Sequence, residues 1–195
     1  MEMDWKVVSV VITVFDKILF DVYERWQKRI DARRRIVLKY GDEVAIRACD
    51  GTFVQPNSEN ILIGGISNVA KWEIYEIVDP ADPFSYSHNR KVCYGDSVAF
   101  RSIKNRKFIG VDLENSNLLK AWAPQVEDWE IFVLIAPPDS VKKGKFVEYG
   151  KGFALKAVNS KYVMYNCSED LSLMATVSHI RKWEVFVFID PPHPK

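Results

Sequence analysis

Tyr40-Gly41-Asp42 returns as Tyr94-Gly95-Asp96 and again as Tyr149-Gly150-Lys151, at a spacing of about 55 residues. Each triplet is followed, about 32 to 35 residues later, by a tryptophan-glutamate pair: Trp72-Glu73, Trp129-Glu130 and Trp183-Glu184. Three copies of one unit thus fill the chain from about residue 38 to its end. A repeat of this length sets the architecture before any local pattern is considered.

Within each unit the apolar residues alternate with a period near two, and Gly, Asn, Asp and Pro break the runs. In the third copy Phe153-Ala154-Leu155-Lys156-Ala157-Val158 alternates, Asn159-Ser160 turns the chain and Lys161-Tyr162-Val163-Met164 resumes. Glu169-Asp170 turns it again, Leu171-Ser172-Leu173-Met174 follows, and Trp183-Glu184-Val185-Phe186-Val187-Phe188 closes the unit as a fourth strand. Val44-Ala45-Ile46-Arg47 and Val98-Ala99-Phe100-Arg101 occupy the first-strand place in the other copies. Each unit ends at proline (Pro80, Pro137-Pro138, Pro191-Pro192), which cannot continue a ladder.

One such unit cannot bury its apolar face alone, and an open sheet of twelve strands would leave exposed edges. Closure solves both problems: six strands form a short barrel and three hairpins cap one end. The expected fold class is all-β, a β-trefoil of three four-stranded repeats (about 38–80, 92–138 and 147–192) preceded by an N-terminal amphipathic α-helix. The expected division is residues 1–36 for the helix with a basic joint and 37–195 for the trefoil.

The helix is read from residues 4–35, which contain no glycine or proline. Val7, Val8, Val11, Phe15, Ile18, Leu19, Val22 and Trp26 recur at helical spacing, and polar residues such as Asp16, Lys17, Asp21, Glu24 and Lys28 follow the other face. Arg25, Lys28, Arg29, Arg33, Arg34 and Arg35 gather towards its end. Three roles stay open for the apolar face: packing on the trefoil or on a second copy, lying in a membrane interface, or spanning a bilayer. Spanning is disfavoured by Asp16, Lys17 and Asp21, each costing about 2.5 to 3.5 kcal/mol near mid-depth.

The 195 residues carry a formal net charge of +1, which gives no global electrostatic argument for nucleic acid, and none is expected as a partner. Cys49, Cys93 and Cys167 are odd in number and lack CxxC spacing, so they read as small apolar residues in a reducing, cytoplasmic setting. His88, His179 and His193 show no metal-ligand spacing, and no cofactor or metal is expected. Asn166-Cys167-Ser168 fits a glycosylation sequon, but no cleavable signal precedes it. Gly64-Gly65 lacks the flanks of a phosphate loop and reads as hairpin geometry.

The run Val98-Ala99-Phe100-Arg101-Ser102, then Lys107-Phe108-Ile109-Gly110, then Trp129-Glu130-Ile131-Phe132 resembles the repeat of fascin-type β-trefoils, and the third copy resembles it equally. The resemblance implies a binding or scaffolding protein, with cytoskeletal actin the protein partner it suggests. It covers about residues 38–190 as one domain, whereas fascin strings several together to bundle filaments. Ricin-type trefoil lectins carry Gln-x-Trp in each repeat; here Ala70, Glu127 and Arg181 stand two before the tryptophans.

Repeat symmetry predicts that Trp72, Trp129 and Trp183 fill one core gap three times, so that Trp129→Ala would cost roughly 3 to 5 kcal/mol. Glu73, Glu130 and Glu184, alternating with them along a strand, are expected on the solvent face or bound to a local backbone donor. Two basic clusters are the candidate partner-binding residues: Lys104, Arg106 and Lys107 in one hairpin, and Lys142, Lys143 and Lys145 before the third unit. No nucleophile or acid-base pair stands clear of the repeat, so the expected function is non-enzymatic: a fascin-like trefoil engaging a protein partner, with the helix for membrane attachment or self-association. A lectin-like glycan-binding module is the alternative.

Overall fold

The computed structural model describes residues 37–84, 90–138 and 146–192, all within the unit Val37–Lys195. Twelve strands run in chain order: β1 (Glu43–Arg47), β2 (Phe53–Pro56), β3 (Leu62–Ile66), β4 (Ile74–Val78), β5 (Ser97–Ser102), β6 (Phe108–Asp112), β7 (Leu118–Ala123), β8 (Phe132–Ile135), β9 (Gly152–Lys156), β10 (Tyr162–Tyr165), β11 (Leu173–Val177) and β12 (Phe186–Ile189). The first and fourth strands of each unit pair antiparallel into a closed ring, β1-β4-β5-β8-β9-β12 and back to β1. The second and third strands form three hairpins, β2-β3, β6-β7 and β10-β11. This is a β-trefoil.

Alternation along the ring strands aims one face inward. It stacks the core in threefold-equivalent layers: Val44, Val98 and Phe153; Ile46, Phe100 and Leu155; Tyr75, Phe132 and Phe186; Ile77, Leu134 and Phe188, all buried. Phe153 stacks on Phe188 with centroids 3.8 Å apart. Each such ring stabilises by about 1.5 to 3 kcal/mol on full burial.

Two cyclic hydrogen-bond triads tie the units together. At one end Leu38 N–H donates to Val147 O, Val147 N–H to Val92 O, and Val92 N–H to Leu38 O, at 2.8 to 2.9 Å. Among the hairpins, Gly64 donates to Leu171, Ala121 to Asn60 and Ala175 to Asn117, again at 2.8 to 2.9 Å. Each triad needs all three units.

The tyrosine of each Tyr-Gly motif adds a side-chain staple to the next unit. Tyr40 Oη donates to Ser97 O at 2.8 Å and Tyr94 Oη to Gly152 O at 2.9 Å. Tyr149 Oη returns to the first unit, donating to Asp42 Oδ2 at 3.1 Å. The glycine after each tyrosine has φ of 86°, 96° and 74°, the left-handed region where a side chain is strained, so the motif is a turn requirement.

The expected fold class needs one correction. Among the described residues there is no α-helix, and strands alone close the ring and cap it, so the described fold is all-β. The segment assigned to the amphipathic helix, with its face Val7, Val8, Val11, Phe15, Ile18, Leu19, Val22 and Trp26, lies outside the described residues. Among the described residues no helix is long and apolar enough to cross a membrane. Gly64-Gly65 also changes meaning: both lie inside β3, and the Tyr165 ring fills the space that a Gly64 side chain would take. Close approach of a neighbouring unit requires that glycine, and no hairpin turn is involved.

Candidate functional site

The tryptophan-glutamate pairs reverse the expected orientation. Trp72, Trp129 and Trp183 are 41%, 39% and 37% exposed, whereas Glu73, Glu130 and Glu184 are 3%, 5% and 3% exposed. The reason lies in local backbone geometry. The pairs sit in tight turns, 3-10 at Asp128–Glu130 and Lys182–Glu184, immediately before the fourth strand. A turn breaks the two-residue alternation and swings the glutamate inward.

Each carboxylate then accepts the backbone N–H three residues before it: Ala70 at 2.7 Å, Glu127 at 3.0 Å and Arg181 at 2.6 Å. The local backbone donor expected for these glutamates is present, and the solvent-facing position is not. Burial pushes the Glu130 carboxyl up from its ordinary value, opposed by the bond from Glu127. The core gap is filled instead by the residue three places after each tryptophan: Tyr75, Phe132 and Phe186.

The three exposed indoles differ. Lys104 Nζ lies 5.4 Å from the centroid of Trp72, and Lys182 Nζ lies 5.1 Å from that of Trp183. Trp129 carries no such cation among the described residues. Beside its turn an open depression of about 320 Å³ is lined by Asp128, Ile131, Val133, Lys156, Ala157, Val158 and Ser160. Its walls come from the end of the second unit and the first hairpin of the third.

The same junction occurs three times with different charges. Across β4 and β5, Glu76 is in register with Arg101, and Arg101 donates twice to Glu76 Oε2, at 2.6 and 3.1 Å. Across β8 and β9 the register pair is Val133 with Lys156, and across β12 and β1 it is Val187 with Arg47. Among the described residues neither Lys156 nor Arg47 has an ion-pair partner. The row continues into the hairpins as Phe108 beside Arg101, Phe53 beside Arg47 and Tyr162 beside Lys156.

Of the sequence-predicted partner residues, Lys104, Arg106 and Lys107 do share the β5-β6 turn. Lys104 and Arg106 are exposed there, and Lys104 lies over Trp72. Lys142, Lys143 and Lys145 lie outside the described residues. The cysteines are free and partly buried, with Cys49 and Cys167 packed against the core. Burial pushes the Cys49 thiol up, which makes it a poor nucleophile. Asn166 of the sequon is buried, and its amide donates to Glu169 and Asp170. Sequence reasoning missed the Lys156 depression, because the signal is a missing partner that only the strand register exposes.

No family model and no curated protein matches the chain. Solved structures do resemble it. An SDF2-like protein from Arabidopsis thaliana superposes with a TM-score of 0.63 at 11% identity, covering 82% of this chain and 100% of that one. A BEL β-trefoil gives 0.58 at 10% identity over 78% of this chain and 95% of that one. The designed threefold-symmetric ThreeFoil gives 0.55 at 9% identity over 76% of this chain and 98% of its own. These likenesses carry the trefoil fold. The fascin-like subtype is not among them.

Proposed function

We propose that the trefoil is a non-enzymatic, lectin-like module that binds saccharides through the tryptophan-bearing junctions between its units. The observation that carries this reading is the half-exposure of Trp72, Trp129 and Trp183 on equivalent turns of a rigid barrel. A core role would have hidden all three rings. An indole held at the surface by a buried neighbour offers a flat apolar face at little entropic cost, which is what the C–H face of a sugar ring requires. The site is not of ricin type: Ala70, Glu127 and Arg181 stand where that signature has glutamine.

The test is retention of the full chain on a glycan array, repeated with Trp129→Ala. Selective retention by the wild type and its loss in the variant support the reading. A blank array refutes it.

A second reading is a protein partner with an acidic surface, actin being the one that the sequence resemblance suggests. The exposed Lys104 and Arg106 on one turn favour it. Cosedimentation with filaments, lost in a Lys104→Glu, Arg106→Glu variant, would establish this reading over the first.

A further inference from the structure

We infer that the depression between the second and third units takes a carboxylate-bearing sugar, a uronic or sialic acid, with its carboxylate on Lys156. The inference rests on the saccharide reading above and narrows it to one junction and one ligand charge.

The protein supplies its own template. At the junction of the first and second units, the position opposite the cation holds Glu76, whose carboxylate takes two bonds from Arg101. The side chains of that pair are each 15% exposed, so a carboxylate fits there and shields the cation. At the next junction the backbone register is the same, but Val133 replaces the glutamate and leaves Lys156 beside an aliphatic wall. The space that a glutamate side chain would occupy contributes to the open depression. A partly buried lysine without an internal counter-ion favours an anion from outside, and apolar neighbours that keep water from the pair strengthen that bond.

The remaining lining narrows the class of anion. Ile131, Val133, Ala157 and Val158 give an apolar floor for a ring face. Ser160 can donate to or accept from a hydroxyl, and the Asp128 carboxylate can accept from one. A simple anion would be repelled by Asp128 and would leave the floor wet. A sugar acid meets every element: carboxylate on Lys156, hydroxyls towards Asp128 and Ser160, and its C–H face on the aliphatic residues. The related position of Asp128 is Lys71 at the first junction and Lys182 at the third, so this combination of acid and unpaired lysine occurs once. One strong site per chain follows, despite the threefold fold.

Titration calorimetry on the full chain, with glucuronate and N-acetylneuraminate as probes and glucose and N-acetylglucosamine as neutral controls, decides the matter. The expected result is one site per chain for a sugar acid, with neutral sugars weaker by at least about tenfold. Lys156→Met should weaken the acid by at least about tenfold, and Lys156→Arg should retain it. Val133→Glu should abolish binding by restoring the internal pair seen at Glu76–Arg101, and its melting temperature reports whether it folds. Neutral sugars binding as tightly as acids, or Lys156→Met and Val133→Glu leaving binding intact, would overturn this inference while sparing the saccharide reading. Acetate competing as well as the sugar acids would also overturn it. Binding of no saccharide at all removes both.

Discussion

The hydroxyl of Tyr149 donates to the carboxylate of Asp42 at 3.1 Å, joining the last unit to the first across 107 positions of sequence. Its equivalents, Tyr40 and Tyr94, reach backbone carbonyls instead. Asp42 also accepts the N–H of Lys39 at 2.9 Å, so one carboxylate shapes its own turn and anchors the incoming tyrosine. Tyr149→Phe is expected to cost about 1 to 2 kcal/mol, because the acceptor is charged. Tyr40→Phe is expected to cost less, and chemical denaturation of the two variants compares them. Equal losses would show that the charge of Asp42 adds nothing.

Ser102 is fully buried, and its Oγ has no hydrogen-bond partner among the described residues, whereas the equivalent positions in the other units are Ala48 and Ala157. A hydroxyl stripped of water without compensation destabilises. Ser102→Ala is expected to stabilise by about 1 kcal/mol and raise the melting temperature by about 2 to 4 °C. A lower melting temperature would mean that the hydroxyl is bonded in solution.

Leu171 has φ of 61°, a conformation that costs a leucine about 1 kcal/mol or more, while the equivalent carbonyl acceptors of the hairpin triad belong to Asn60 and Asn117. The triad holds it there, since Leu171 O accepts the N–H of Gly64. Leu171→Asn is expected to raise stability by about 0.5 to 1 kcal/mol. Thermal denaturation measures it, and a loss would show that the leucine contact with Gly65 outweighs the strain.

Trp129→Ala is expected to cost about 1 to 2 kcal/mol, well under the figure for a core ring, because the indole is 39% exposed. A loss of 3 kcal/mol or more in equilibrium unfolding would return the ring to a packing role.

Burial raises the Glu130 carboxyl, so the folded state holds that proton more tightly than the unfolded chain does. The resulting stabilisation is present below the unfolded carboxylate range and is lost as pH rises through the raised folded value. Glu130→Gln keeps an acceptor for Glu127 N–H without a charge, so its stability relative to wild type should increase from acid to neutral pH. Melting curves recorded across that interval check the sign, and a relative decrease would contradict it. Glu130→Ala, which strands the N–H of Glu127, should cost about 1 to 3 kcal/mol at either pH.

The repeat was legible because its markers are conformational requirements. A left-handed glycine after each tyrosine and a proline at each joint cannot easily be anything else. The strand positions followed from alternation, and Val98, Phe100, Leu155 and Phe186 on those strands are buried. The same rule misplaced Trp183 and Glu184, because it was carried two residues beyond the strand into a 3-10 turn. Nothing in the composition of Trp-Glu-Val-Phe marks where extended backbone begins. The Lys156 site was less legible still: Val133 and Lys156 belong to different units, and their opposition exists only once the ring has fixed its register.

The ring has three seams between units, and only two of them are crossed by the chain itself. The third, β12 against β1, is held by ladder pairs from Ala45–Ile189 to Arg47–Val187, by the Tyr149 staple and by one bond of each triad, with no covalent link across it. Geometrically it equals the others, so the place where this polypeptide begins its barrel is an accident of connectivity. A circularly permuted chain, opened in the segment between β4 and β5 and joined across the third seam, would meet the same set of neighbours. Its kinetics would differ, since the pairing of greatest sequence separation, which waits for the longest loop to close, would move to a new seam.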